Sequence, residues 1–449
     1  MAAFQGALIH SLGPNQVEIL ENAGLVIGED GLISEFHRDI SAEELSKKLP
    51  NSVRLQKVEK GQFLSPGFVD THNHAPQWAM RSLGQGLHIL DWLEQVTFPH
   101  EARFSDPAYA AKVYESCVRG FLKQGITTAS YYASKHAEAT RILADTCQRL
   151  HQRAFVGKCN MDRNAPSYLG DDSAESSLRE TVECVEHIRR IDPTGKLVRP
   201  VLTPRFAICC TPDLLAGLGK MADEDPGLAI QTHFNEAEQE INATRELFPQ
   251  FSSEADLYRH YGLLNERSIL AHCTFMTDYD MDRVREYGCG VAHCPISNMT
   301  VGGGFMAAPI RRFLDRGIKV GLGTDSGGGF SSSMLDSIRQ AVIASNAREV
   351  MSGGKDKALS LDEAFYLSTL GGAGVCGLED TIGNFAVGKE FDAIWVTCPL
   401  DETSGVMTAR EETDGVRTLF EKFLMTGDDR NIARVYVQGK LVKDCPLTA

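Results

Sequence analysis

The 449-residue chain carries 45 Lys and Arg against 60 Asp and Glu, a formal net charge of −15, with 43% hydrophobic and 23% charged residues. That is ordinary globular composition, at a length that buries a large core without disulfide or metal staples. The acidic balance argues against a protein that grips a nucleic-acid backbone or an anionic membrane through a basic face.

The chain starts Met1-Ala-Ala-Phe-Gln-Gly-Ala-Leu8, with no basic segment and no sustained apolar run, so no secretory signal is read there. No window offers the roughly 18 consecutive apolar residues of a membrane span. Twelve cysteines are scattered without a regular framework. Without a signal they read as reduced thiols, and the expected compartment is the cytoplasm. Residues 1–65 read as short β segments around turns, as at Leu25-Val-Ile-Gly-Glu-Asp-Gly-Leu-Ile33.

Eight short apolar runs follow, at 67–72, 126–131, 154–159, 197–203, 228–233, 268–272, 290–293 and 319–325. Between them lie stretches with helical periodicity, such as Tyr109 to Lys123 and Thr181 to Arg190. Strand and helix alternating eight times predict an α/β fold, a (β/α)8 TIM-type barrel over residues 66–381. Residues 382–449 return to short β segments, Phe391 to Val396 and Ala433 to Val442, with Gln438-Gly439 placed as a tight hairpin turn. The two ends are expected to pair into one small β-sandwich domain beside the barrel.

Barrels keep their chemistry at the C-terminal ends of the strands, and polar residues cluster there. His72 and His74 end the first run and, two apart in a strand, share one face. His233 ends the fifth run, His272 the sixth and Asp325 the eighth. Several imidazoles and a carboxylate around one barrel mouth suit a zinc ion with an open position. A lone His-x-His is more often a pair of satisfied histidines; five candidates on four strand ends favour a metal. Glu236, three after His233, reaches such a site only if the chain turns out of the strand, and is otherwise a solvated carboxylate beside Glu238 and Glu240. Near a metal-activated water it becomes a proton carrier. Arg205 and Phe206 follow the fourth run, and a planar guanidinium beside an aromatic ring suits a flat polar heterocycle. Gln77, three after His74, offers an amide to a substrate edge. Leu87 to Phe98, with Trp92, is amphipathic and reads as a lid or as packed core. His293 reads as a hydrogen-bond partner of a ligand rather than a ligand itself, and Cys209-Cys210 as inert.

With these residues in place, the chain resembles the amidohydrolase superfamily of metal-dependent barrels and, within it, the guanine deaminases. The general pattern is Gly67-Phe-Val-Asp-Thr-His-Asn-His74, then His233, His272 and the Gly323-Thr-Asp325 strand end. The narrower match runs over nearly the whole chain, through His74-Ala-Pro-Gln77, Thr97-Phe-Pro-His-Glu-Ala-Arg-Phe104, Arg153 to Lys158, Thr203-Pro-Arg-Phe206, His293 to Asn298, Ser333 to Asp336 and Gly427-Asp-Asp-Arg-Asn431. The resemblance implies one zinc per chain, held by His72, His74, His233 and Asp325. It implies that Gln77, Arg205 and Phe206 hold guanine, with His233, Glu236 and Asp325 also at the substrate. Glu236 and Asp325 would move protons and His272 would assist near the reacting water, giving xanthine and ammonia. It implies a homodimer; the acidic balance, not the resemblance, argues against nucleic acid or membrane as partner. Some two-metal barrels need a bridging lysine near the end of the fourth strand, and none stands there. Other aminohydrolases, acting on adenosine-like, triazine or pterin substrates, are the nearest alternative, and a non-catalytic barrel scaffold the most distant one.

Overall fold

The computed structural model describes residues 1–301, 305–400, 408 and 410–445. Parts of the expected C-terminal β segment, 401–407, 409 and 446–449, therefore lie outside the described residues. The first strands are β1 (Ala2–Gly13), β2 (Gln16–Ile27), β3 (Ile33–His37), β4 (Leu55–Val58) and β5 (Gln62–Pro66). The barrel strands are β6 (Phe68–His74), β7 (Ile126–Tyr132), β8 (Arg153–Gly157) with its short continuation β9 (Cys159–Asn160), β10 (Val198–Pro204), β11 (Ala229–Phe234), β12 (Ser268–His272), β13 (Gly290–His293) and β14 (Lys319–Leu322). The last strands are β15 (Ala393–Thr397), β16 (Ile432–Val437) and β17 (Lys440–Asp444).

Strands β6 to β14 pair in parallel, each with the next in sequence, so the eight apolar runs become the eight staves of the expected barrel. Their residues are buried almost without a break, because helices cover the outside and side chains fill the inside. Single hydrogen bonds join the last strand to the first: Thr71 Oγ1 donates to Leu322 O at 2.9 Å and Asp325 N to His72 O at 2.9 Å. The covering helices start where local chemistry allows. Pro107–Lys123 begins on Asp106, whose side chain accepts from Ala108 N, with Pro107 in the first turn. Ala174–Ile191 begins on a reciprocal Ser173–Ser176 cap.

Both ends of the chain contribute to a second, mixed sheet of order β17-β16-β15-β5-β1-β2-β3, with β4 beside β1. The join is antiparallel pairing of β5 with β15, Leu64 opposite Trp395. Its apolar face buries Phe4, Leu25, Ile33, Phe391, Trp395 and Tyr436. The β16–β17 hairpin turns on Gln438 and Gly439, both at positive φ (50° and 74°), the conformation a two-residue turn needs to match strand twist. No helix among the described residues is long and apolar enough to cross a membrane.

Candidate metal centre and active site

Five side chains converge at the C-terminal mouth of the barrel. His72 and His74 come from the end of β6, His233 from β11, His272 from the last residue of β12, and Asp325 from the loop three residues beyond β14. His72 Nε2 lies 3.4 Å and His74 Nε2 3.6 Å from Asp325 Oδ1, and the Nε2 atoms of His74 and His233 face one another at 3.2 Å. His272 Nε2 lies 4.0 Å from Asp325 Oδ2 and 3.5 Å from Glu236 Oε1.

The other ring nitrogen of three of these imidazoles is occupied from behind. His72 Nδ1 donates to Gln231 Oε1 at 2.7 Å, His233 Nδ1 to the Arg205 carbonyl at 2.6 Å, and His272 Nδ1 to Asn298 Oδ1 at 2.8 Å. A carbonyl only accepts, so each ring carries its proton on Nδ1 and turns an Nε2 lone pair inward. Nε2 of His72 and of His272 has no hydrogen-bond partner, although both rings are buried. Converging lone pairs without donors, beside a carboxylate, are what a cation needs and what a hydrogen-bonded core cluster would not leave. The ligand atoms of His72, His74 and Asp325, and likewise those of His72, His233 and His272, lie within 4.8 Å of one another. The residues therefore fit a metal ion, and the donor set of imidazoles with one carboxylate suits zinc.

Electrostatics agree. Burial, and then neighbouring imidazoles, keep His74 and His233 well below the ordinary histidine range, hence neutral. Burial opposes the charge of Asp325, but its interactions with His72, then His272 and His74, hold it well below the usual carboxylate range. Burial, reinforced by the Asp325 charge, pushes Glu236 up to about 8.

Glu236 reaches the site because the chain does turn out of the strand. Asn235 takes a left-handed conformation (φ 45°), and Thr274 Oγ1 donates to the carbonyls of both Asn235 and Glu236. Glu238 is exposed, whereas Glu236 and Glu240 are buried. His272, Cys273 and Asp325 are also at positive φ (76°, 49° and 42°), so three strand ends around one mouth carry backbone conformations rare for side-chain-bearing residues. The loop bearing Asp325 is tied down by Asp70, which accepts from Thr324 N at 2.9 Å, Thr324 Oγ1 at 2.7 Å and His72 N at 3.3 Å.

Above this cluster lies a cavity whose walls include Gln77, Arg205, Phe206, Glu236, Trp92 and Leu93. Gln77 stands in the 3-10 turn Ala75–Met80, directly after β6. Gly327, at φ 127°, allows the close approach of Gln77: a Cβ there would meet Gln77 Oε1 at 2.0 Å. The amphipathic stretch 87–98 is both roof and core, since Ile89, Trp92 and Leu93 line the cavity while packing with Phe98, Phe206 and Met306. The Arg205 guanidinium is not free: Glu101 binds it through two hydrogen bonds, at 2.7 and 3.1 Å, and Phe98 lies under it at 5.3 Å.

Several residues of the site escape sequence reading. Glu101, Gln231, Asn298 and the Asp70–Thr324 pair were given no part in it, and neither was Tyr132, whose ring stacks on His74 at 4.7 Å and whose hydroxyl donates to Gln231 O at 2.8 Å. The partner of the His272 ring is Asn298; His293 instead lends its backbone carbonyl to Gly323 N at 2.8 Å. Cys209 and Cys210 are buried and unpaired, and burial pushes the Cys209 thiol up to about 12.

The model of the amidohydrolase family matches residues 63–442, which takes in the whole barrel and the strands that follow it. The chain belongs to the amidohydrolase family. Within that family it groups with the guanine deaminases. It is similar to guanine deaminase of Dictyostelium discoideum, 39% identical with 98% of each chain covered. It is also similar to a probable guanine deaminase of Schizosaccharomyces pombe, 38% identical with 99% of this chain and 84% of the other covered. Among solved structures it superposes on guanine deaminase from C. acetobutylicum with bound guanine in the active site, at a TM-score of 0.89 and 30% identity, covering 98% of this chain and 99% of that one. As an amidohydrolase of this group, the chain is a hydrolase acting on carbon–nitrogen bonds.

Proposed function

We propose that this chain hydrolyses guanine to xanthine and ammonia, with one zinc held by His72, His74, His233 and Asp325. The observation that carries the reading is the meeting, around one cavity, of His74, His233 and Asp325 from the metal-ligand cluster with Arg205, Gln77 and Glu236. Full-length similarity to guanine deaminases supports it.

When bound, zinc supplies Lewis acidity, which makes water a nucleophile near neutral pH. The protein's own groups do the rest. Asp325, kept ionised, orients the water and takes its proton as the water oxygen attacks the ring carbon bearing the amino group. Glu236, neutral at pH 7, gives its proton to a ring nitrogen and so removes the charge that attack would build there. Asp325 then passes the proton it took from water to the amino group, the carbon–nitrogen bond breaks and ammonia leaves; the new hydroxyl gives up its proton to recharge Glu236, and the oxo product keeps the proton on its ring nitrogen. His272, oriented by Asn298, stands beside both carboxylates to hold the water. Arg205 donates to the 6-oxo group, Gln77 meets the ring edge, and Phe206 covers one ring face. Adenine offers no oxo acceptor there, so the buried donor of Arg205 stays unpaired, a loss on the order of 1–3 kcal/mol or more. The same resemblance leads us to infer a homodimer working in the cytoplasm.

A panel of guanine, adenine, adenosine, a triazine and a pterin tests the assignment. Ammonia release from guanine well above the rest is expected; a preference for any other member of the panel overturns it.

A further inference from the structure

Glu101 does not line the cavity, yet it fixes what the cavity presents. Its Oε2 accepts Arg205 Nη1 at 2.7 Å, and its Oε1 accepts both Arg205 Nη2 at 3.1 Å and Gln77 Nε2 at 2.8 Å. Arg205, Gln77 and Glu101 are each 1% exposed. A guanidinium has two parallel donor pairs, Nη1 with Nη2 at its end and Nε with Nη2 along its side. Glu101 takes the end pair. The side pair is left, and Nε is buried without a partner. Gln77 is committed in the same way: its NH2 is drawn to Glu101, and its Oε1 is buried without a partner. A carboxylate only accepts, so the reverse setting of the Gln77 amide would place two oxygens against each other. One buried carboxylate thus sets both neighbours: donors from Arg205, an acceptor from Gln77.

Resting on the function proposed above, we propose that Glu101 is the positioning residue that sets purine specificity, aiming the Nε–Nη2 side of Arg205 at the adjacent O6 and N7 acceptors of guanine and Gln77 Oε1 at a ring N–H. The match of an arginine fork to O6 and N7 is the one by which proteins read guanine in DNA. Glu101 acts through Arg205 and Gln77 and touches no reacting atom.

The test compares guanine with 7-deazaguanine, in which N7 is replaced by C–H, on zinc-loaded parent, Glu101→Gln and Glu101→Asp, with zinc content measured for each. The quantity read is the ratio of kcat/KM for the two substrates, and its change between parent and variant cancels any difference in their intrinsic reactivity. In the parent, KM for 7-deazaguanine should exceed that for guanine by about tenfold, the scale of one hydrogen bond from a charged donor. Glu101→Gln should raise KM for guanine about tenfold with a smaller change in kcat, and shrink the preference for guanine over 7-deazaguanine by a similar factor. Glu101→Asp, which keeps the charge, should retain part of that preference. A Glu101→Gln enzyme that loses both substrates by one common factor would show a purely structural role and overturn the proposal. Equal KM values for the two purines in the parent overturn it without any variant. A parent that handles neither guanine nor its analogue, but hydrolyses another substrate, overturns the underlying function instead, and the proposal with it.

Discussion

Lys158 Nζ and Asp171 Oδ1 meet at 2.8 Å, both side chains buried, just beyond the third barrel strand. Asp171 also accepts from Met161 N and from Ser177 Oγ, so the carboxylate is fully engaged where it stands. A lysine whose Nζ is tied to such a partner is not available to bridge two metals, and the fourth strand ends in Thr203-Pro-Arg-Phe206. One metal per chain is therefore expected. Chelation should abolish activity, and one equivalent of zinc should restore it. Elemental analysis of fully active protein checks this; two metals per chain would remove the mononuclear arrangement and the role given to Asp325.

Glu236→Gln keeps the shape of the side chain and removes its transferable proton. Zinc content should stay at the parent level while kcat falls by ~10²-fold or more, the scale of general acid–base catalysis. Near-parent turnover would take Glu236 out of the mechanism.

The pH dependence follows from the same residue. Its acid form is the donor, and burial with the Asp325 charge raises it to about 8. A raised carboxyl stays protonated up to that value and loses its proton above it. kcat/KM should therefore fall as pH rises through about 8, and the residual activity of Glu236→Gln should lack that limb. A parent profile flat across this range would argue that Glu236 does not act as the acid.

Arg205→Lys keeps a positive charge and loses the planar fork that Glu101 holds. Zinc content should be unchanged, and kcat/KM for guanine should drop by about tenfold or more, as expected for losing a charge-assisted hydrogen bond. Parent-like handling of guanine would separate Arg205 from the 6-oxo group.

The barrel was legible because its signal is local. Four of the eight apolar runs end at, or two residues before, the polar residues they deliver to the mouth, so His72, His74, His233, His272 and Asp325 mark both their strands and their meeting point. Glu236 required one more fact, a turn immediately after β11, and Asn235 at positive φ provides it; asparagine is among the few residues that adopt that conformation readily, so the clue was present though weak. The pairing of the two chain ends was inferred from their shared β character, and β5 against β15 realises it.

Glu101 was not legible in the same way. It lies 104 residues from Arg205, in a stretch of short α, π and 3-10 turns from Ile89 to Ser105 that carries no steady period. The run Thr97 to Phe104 stood out only through resemblance, which flags a segment without saying which atom meets which. Gln231 and Asn298 were hidden for a related reason: they act on the far side of a histidine ring, and only the packed barrel shows which amide stands behind which imidazole.

We propose that this cavity, loaded with zinc, turns guanine into xanthine. Incubating the purified, zinc-loaded protein with guanine, following xanthine by absorbance and assaying ammonia alongside, tests it most directly. Xanthine and ammonia should form in equal amounts, at a rate that disappears with chelator and returns with zinc. Guanine left unchanged by a protein shown to be folded and metal-loaded would contradict it.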